Sequence, residues 1–110
     1  MSTMKHYLFN EVVAHEGDKS KNFFVLVEGK IGIFKNGKKI AQFEKPGEIV
    51  GEMSLILNKP RSAEIRALEA SSLLIISGDL DEIIRMYPDI SKKLIKSLAE
   101  RLAKSTEGNK

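Results

Sequence analysis

Cysteine is absent from the 110 residues, which excludes disulfide cross-links, thiolate nucleophiles and cysteine metal ligands together. Long apolar runs are missing as well. No stretch approaches the roughly 20 residues that a membrane-spanning helix requires, and the opening "MSTMKHYLFN" has no basic region leading into an apolar stretch and a small-residue cleavage site. A cytoplasmic setting, with no membrane contact, is expected. Histidine is scarce: His6 and His15 stand far from any cluster of further ligands, so no metal is assigned. A small β-barrel enzyme of the cupin type would need clustered histidines with a carboxylate, and no nucleophile–base set replaces them. No catalytic residue is therefore assigned, and the chain is not expected to be an enzyme. Internal repeats and low-complexity segments are also lacking.

What is present fits one globular unit. A chain of 110 residues, 42% hydrophobic and 30% charged, suits a single domain spanning 1–110 with one core. The formal charge of +3 is unevenly spread, because residues 91–110 carry six basic and two acidic side chains and leave about −1 on the first ninety. Lysines on a helix that also bears an apolar stripe form its solvated face, so nucleic-acid binding is the disfavoured reading.

The first three quarters have strand character. "NFFVLVEGKIGIFKNGKKIAQF" holds β-branched and aromatic residues in short runs that stop at Glu28-Gly29 and at Asn36-Gly37. Asn-Gly suits a type I′ turn, which needs positive φ at both central residues, so sequential antiparallel strands are expected there. Further turns fall at Pro46-Gly47 and Asn58-Lys59-Pro60, and "SAEIRAL" and "SSLLIIS" are strand candidates. This spacing predicts a small rolled-up sheet over about residues 7–77. After Ser77 the period changes. Asp79 is a candidate N-cap with Glu82 three residues on, and Leu80, Ile83, Ile84 and Tyr87 define a helix over about 79–87. A second helix over about 89–106 carries Ile90, Leu94, Ile95, Leu98 and Leu102.

Between the strands lies "GEMSLILNKPRSAEIRA", residues 51–67, where a Gly-Glu pair and an Arg-Ser-Ala triplet bracket a short apolar run. Gly51 permits close backbone approach, and a helical turn beginning near Glu52 would aim free N–H groups at an anion. Arg61 adds a fixed positive fork suited to phosphate. Glu52 would repel a bare phosphate and makes sense only if the ligand also offers hydroxyl donors, as a ribose does. Phosphate with ribose indicates a nucleotide. A plain structural ion pair between Glu52 and Arg61 is the alternative, but it would not require the glycine, the helix start and the Arg-Ser-Ala context together.

"GEMSLILNKPRSA" resembles the phosphate-binding cassette of the cyclic-nucleotide-binding domain family, which includes catabolite activators, regulatory subunits of cyclic-AMP-dependent kinase and cyclic-nucleotide-gated channels. The likeness runs from about residue 8 to residue 106, with Gly17-Asp18, Gly29 and Pro46-Gly47 at the family's turn positions and "LLIISGDLDEIIRMYPDISKKLIKSLAERLAK" resembling its closing strand and helices. It implies an α+β fold: an antiparallel, jelly-roll-like β-roll of about eight strands, a short cassette helix and two C-terminal helices.

The resemblance implies a ligand site at Gly51, Glu52, Met53, Ser54, Arg61, Ser62 and Ala63. Glu52 would accept a hydrogen bond from the ribose 2′-hydroxyl, Arg61 would pair with the cyclic phosphate, and the backbone N–H groups of Ser54 and Ser62 would complete the cradle. Leu55 would lie at the hinge between cassette and helices, while Leu55, Ile56 and Leu57 are expected as core or inter-helix contacts and Met53 and Met86 as space-filling residues. The separation of Glu52 from Arg61, with Pro60 before the arginine, is similar to the kinase regulatory subunits; the catabolite activators have a loop one residue longer. Ser105 and Thr106 fall where catabolite activators carry a Thr-Ser pair that hydrogen-bonds the adenine amino group, which favours cyclic AMP; the alternative is a solvated tail.

The family often has a helix ahead of the first strand, for which few residues are available, and no helix-turn-helix, kinase or channel sequence follows the last helix. The expected role is a non-catalytic receptor for cyclic AMP or cyclic GMP, without other cofactor, that relays binding through its C-terminal helices to an effector protein or fused domain, with a possible homodimer through the last helix. The alternative is a ligand-independent interaction or oligomerisation module of the same fold, against which an intact Glu52 and Arg61 argue.

Overall fold

A computed structural model describes residues 2–108, with side chains described from Ser2 to Ser105. A strand unit ends at Asp79 and a helical unit begins at Leu80.

The strand unit contains β1 (Ser2–Tyr7), β2 (Val12–Ala14), β3 (Asn22–Glu28), β4 (Ile31–Lys35), β5 (Lys38–Phe43), β6 (Ile49–Val50), the short helix α1 (Glu52–Leu57), β7 (Glu64–Ala67) and β8 (Ser71–Ser77). The eight strands form two four-stranded sheets, ordered β1-β8-β3-β6 and β2-β7-β4-β5, with every pairing antiparallel. Phe24 and Leu26 of β3, Ile31 of β4, Val50 of β6, Ile65 and Ala67 of β7 and Leu73 of β8 build a buried cluster with Tyr7 and Ala14. In β7 the two-residue period is plain: Ile65 and Ala67 point inward while Glu64 and Arg66 stay partly exposed.

The Asn36-Gly37 turn has the expected chemistry. Both residues have positive φ, 53° and 77°, and Lys35 pairs with Lys38 across a two-residue loop. At the N-terminus the strands begin earlier than expected. β1 runs along β8 from Ser2 opposite Ile76 to Tyr7 opposite Ser71, yet five of its six residues are exposed. Backbone pairing to a neighbour distant in sequence holds this edge strand, so it lacks the apolar alternation by which strands are recognised.

The helical unit contains α2 (Leu80–Met86) and α3 (Pro88–Gly108), within two residues of the expected limits. Asp79 directly precedes α2, and Pro88 opens α3, where its missing N–H removes no helical bond. Hydrogen bonds from Tyr87 N–H to Ile83 O (2.8 Å) and from Ser91 N–H to Tyr87 O (2.9 Å) carry the backbone across the junction. The expected apolar faces are only partly buried: Ile83 and Leu94 are buried, whereas Ile84, Ile95 and Leu102 are exposed. In α1 and α2 the structure likewise departs from expectation, with Leu55 buried but Leu57, Met53 and Met86 exposed rather than filling a core.

Candidate ligand-binding cassette

Helix α1 starts from Gly51, whose φ of 81° and ψ of 18° place it in the left-handed region. A side chain there would carry backbone strain and a collision, since an added Cβ would lie 2.6 Å from Arg61 Nη1. Glu52 opens the helix and is 2% exposed. The helix ends at Asn58, also left-handed at φ 53°, whose N–H reaches the carbonyls of Leu55 and Ser54. This early stop turns the chain back so that Arg61, ten residues from Gly51, donates from Nη1 to the Gly51 carbonyl at 2.9 Å.

Arg61 is the hub. Its side chain is 3% exposed. Nη2 donates to Asn22 O at 2.8 Å and to Asn22 Oδ1 at 2.6 Å, and the guanidinium lies over the Phe24 ring, 5.2 Å from its centroid. Nε lies 3.9 Å from Asp18 Oδ2 and, though buried, has no hydrogen-bond partner among the described residues. The backbone is tied to the same loop: Arg61 N–H donates to Asp18 O at 2.9 Å and Gly17 N–H donates to Arg61 O at 2.7 Å. Burial pushes the Arg61 guanidinium below its ordinary pKa, and the Asp18 carboxylate opposes that change. Asp18 is held below the usual carboxylate range chiefly by the Ser20 hydroxyl and backbone N–H, with a smaller contribution from Arg61.

Around this hub, the Ser54 hydroxyl donates to Gly51 O at 3.3 Å, and Ser54 and Ala63 are half-buried. Met53 and Ser62 are exposed. Lys35 Nζ donates to the Ser62 carbonyl at 2.6 Å and lies 3.8 Å from Glu16. Thus Gly51, Ser54 and Arg61 are joined by hydrogen bonds, with the buried Glu52 next in the chain. Ser105 is exposed on α3, and the side chain of Thr106 lies outside the described residues.

Asn22 and Asp18 were not among the expected site residues. Asn22 opens a strand and Asp18 reads as one half of a Gly-Asp turn; nothing local marks either as a partner of an arginine 39 or more positions away. His6 has an ordinary role, sharing a 2.6 Å hydrogen bond between Nδ1 and Ser72 Oγ. No group of three or more potential metal ligands occurs among the described residues.

A buried guanidinium bonded to the residue that precedes a buried glutamate and the start of a short helix is an arrangement that can hold an anion and a hydroxyl-bearing group together. A family model described as "Cyclic nucleotide-binding domain" matches residues 4–87. The Pycsar effector protein XpPycTIR of Xanthomonas perforans is 32% identical over 91 residues, 81% of this chain and 30% of the relative. A cyclic AMP receptor protein of Thermus thermophilus is 30% identical over 95 residues, 82% of this chain and 44% of the relative. The crystal structure of the T. thermophilus catabolite activator protein matches with a TM-score of 0.80 at 29% identity, covering 96% of this chain and 52% of that one. The chain spans less than half the length of these curated relatives.

Proposed function

The chain belongs to the cyclic nucleotide-binding domain family, and on that premise we propose that it is a non-catalytic receptor that binds cyclic AMP or cyclic GMP at the Gly51–Ala63 cassette. One observation carries this reading: the full charge of Arg61 is buried and anchored to the backbone of Gly51, the residue that precedes the buried Glu52. Burying a guanidinium is unfavourable for folding alone, and a ligand phosphate that meets Arg61 offsets part of that penalty. Arg61 takes the cyclic phosphate, Glu52 the ribose 2′-hydroxyl, and the N–H groups of Ser54 and Ser62 the remaining phosphate oxygens. No further cofactor is required. Gly51 permits the turn, while Met53 and Ala63 flank the ligand.

The Thermus thermophilus relative is a cyclic AMP receptor protein, which supports cyclic AMP as the first ligand to test. Ser105 and Thr106 are the candidate lid over the base. Binding is relayed through α2 and α3 to an effector protein or fused domain, with α3 as the candidate homodimer surface. A ligand-independent interaction module is the competing reading, and one observation favours it: Arg61 is already engaged by Asn22, Gly51 and Asp18.

Calorimetric titration with cyclic AMP and with cyclic GMP, against linear AMP as control, separates the two. The receptor reading expects saturable binding of at least one cyclic nucleotide and far weaker binding of linear AMP. No heat from either cyclic nucleotide at millimolar concentration assigns the chain to the interaction module.

A further inference from the structure

Resting on the receptor reading, we propose that Asp18 is an internal counter-anion of Arg61, standing where an incoming phosphate takes over, so that its charge lowers the affinity of the cassette for anionic ligands.

The partners of Arg61 differ in kind. Gly51 O and Asn22 O are backbone acceptors, one at the start of α1 and the other in β3, and both hydrogen bonds are short, at 2.9 and 2.8 Å. Asp18 sits in the loop between β2 and β3, and its oxygen is 3.9 Å from Nε, close enough for charge but too far for a hydrogen bond. Nε–H is therefore a buried donor without an acceptor among the described residues. Such a donor is unfavourable, and a phosphate oxygen that reached it would supply the bond Asp18 does not make.

Access points the same way. The Asp18 side chain is 33% exposed while that of Arg61 is 3% exposed, so the carboxylate is the solvent-facing member of the pair. It is also fixed there. Oδ1 accepts from Ser20 N–H at 3.0 Å and Ser20 Oγ at 2.8 Å, and the two backbone bonds between Gly17-Asp18 and Arg61 keep the loop against the arginine. A phosphate that approaches the Nε edge thus meets a like charge held at the cation it seeks. In the ligand-free protein the same carboxylate compensates a buried cation, so Asp18 favours the empty fold and opposes the filled one.

The test uses the intact chain, with cyclic AMP and cyclic GMP titrated separately into the parent, Asp18→Asn and Asp18→Glu. Removing one partly solvated charge beside the binding cation is expected to lower the dissociation constant roughly tenfold. The ligand-free melting midpoint of Asp18→Asn should fall at the same time, and Asp18→Glu should return affinity toward the parent. A residue that merely braces the loop would lose affinity and stability together, so their opposite movement is the diagnostic. If the parent binds and Asp18→Asn binds equally or more weakly, the counter-anion proposal is overturned and the receptor reading stands. If neither protein binds either nucleotide, both fall. Should Asp18→Asn fail to fold, Ser20→Ala, which removes the hydroxyl half of the carboxylate's anchor and leaves the backbone N–H bond, is expected to tighten binding about twofold; unchanged or weaker binding in that variant overturns the proposal.

Discussion

At Arg61 a full positive charge is held almost out of solvent by Asn22, Gly51 and Asp18, and this changes what its removal should do. The cassette spacing alone suggests a residue whose loss abolishes binding and spares the fold. With the observed contacts, Arg61→Ala also leaves Asn22 and Gly51 acceptors and the Asp18 charge without their partner. We expect a stability loss of about 1–3 kcal/mol in a denaturant melt, and a loss of about 2–5 kcal/mol in calorimetric binding energy for whichever cyclic nucleotide the parent takes. Undiminished binding by a folded Arg61→Ala would remove the phosphate role. The importance of Arg61 was legible because it is set between Pro60 and Ser62-Ala63 and follows a Gly-Glu pair at fixed spacing. Its partners were not, because Asn22 lies 39 positions away and only the packing of β3 beside the cassette brings it near.

Helix α1 shows how one backbone residue serves fold and site together. Gly51→Ala combines a φ of 81° with a Cβ 2.6 Å from Arg61 Nη1 and 3.1 Å from Ile65 Cδ1. Gly37→Ala has a similar φ of 77° but meets nothing within 4 Å. Both substitutions should lower stability by about 1–2 kcal/mol through backbone strain, while only Gly51→Ala should also weaken cyclic-nucleotide binding, since it displaces the guanidinium. Equal binding by the two variants, measured by titration, would separate Gly51 from the site. At this scale the hairpin and helix starts were legible, because positive φ and first-turn proline are local demands that particular residues meet. Strand β1 was not, and neither was the two-residue β6, held by pairing of Val50 with Phe24 and Ile49 with Val25. The exposure of Ile84, Ile95 and Leu102 was also hidden, because a helical period marks which residues share a face without saying what covers it.

For the molecule as a whole, a ligand that binds only the folded state must stabilise it. At a hundredfold excess over the dissociation constant the gain is about 2.7 kcal/mol, which corresponds to roughly 10 °C or more in melting midpoint for a domain of this size. The transition of the strand unit, which contains the cassette, is the one to follow; cyclic AMP or cyclic GMP should raise it, linear AMP should scarcely move it, and a flat response to both cyclic nucleotides would contradict the receptor reading. What the amino-acid sequence by itself determined was the kind of fold, through strands separated by turn residues and a change of period after Ser77, while an acid and a base at family spacing marked the candidate cassette. Those features rest on interactions within a few residues of one another, and so leave a readable pattern. Only the tertiary structure decided that the arginine is buried, that Asn22, Gly51 and Asp18 hold it, and that one of its N–H groups lacks an acceptor among the described residues. Burial and charge compensation arise from segments that meet through sheet pairing and loop closure, and no local periodicity records which distant carbonyl or carboxylate a buried cation will find.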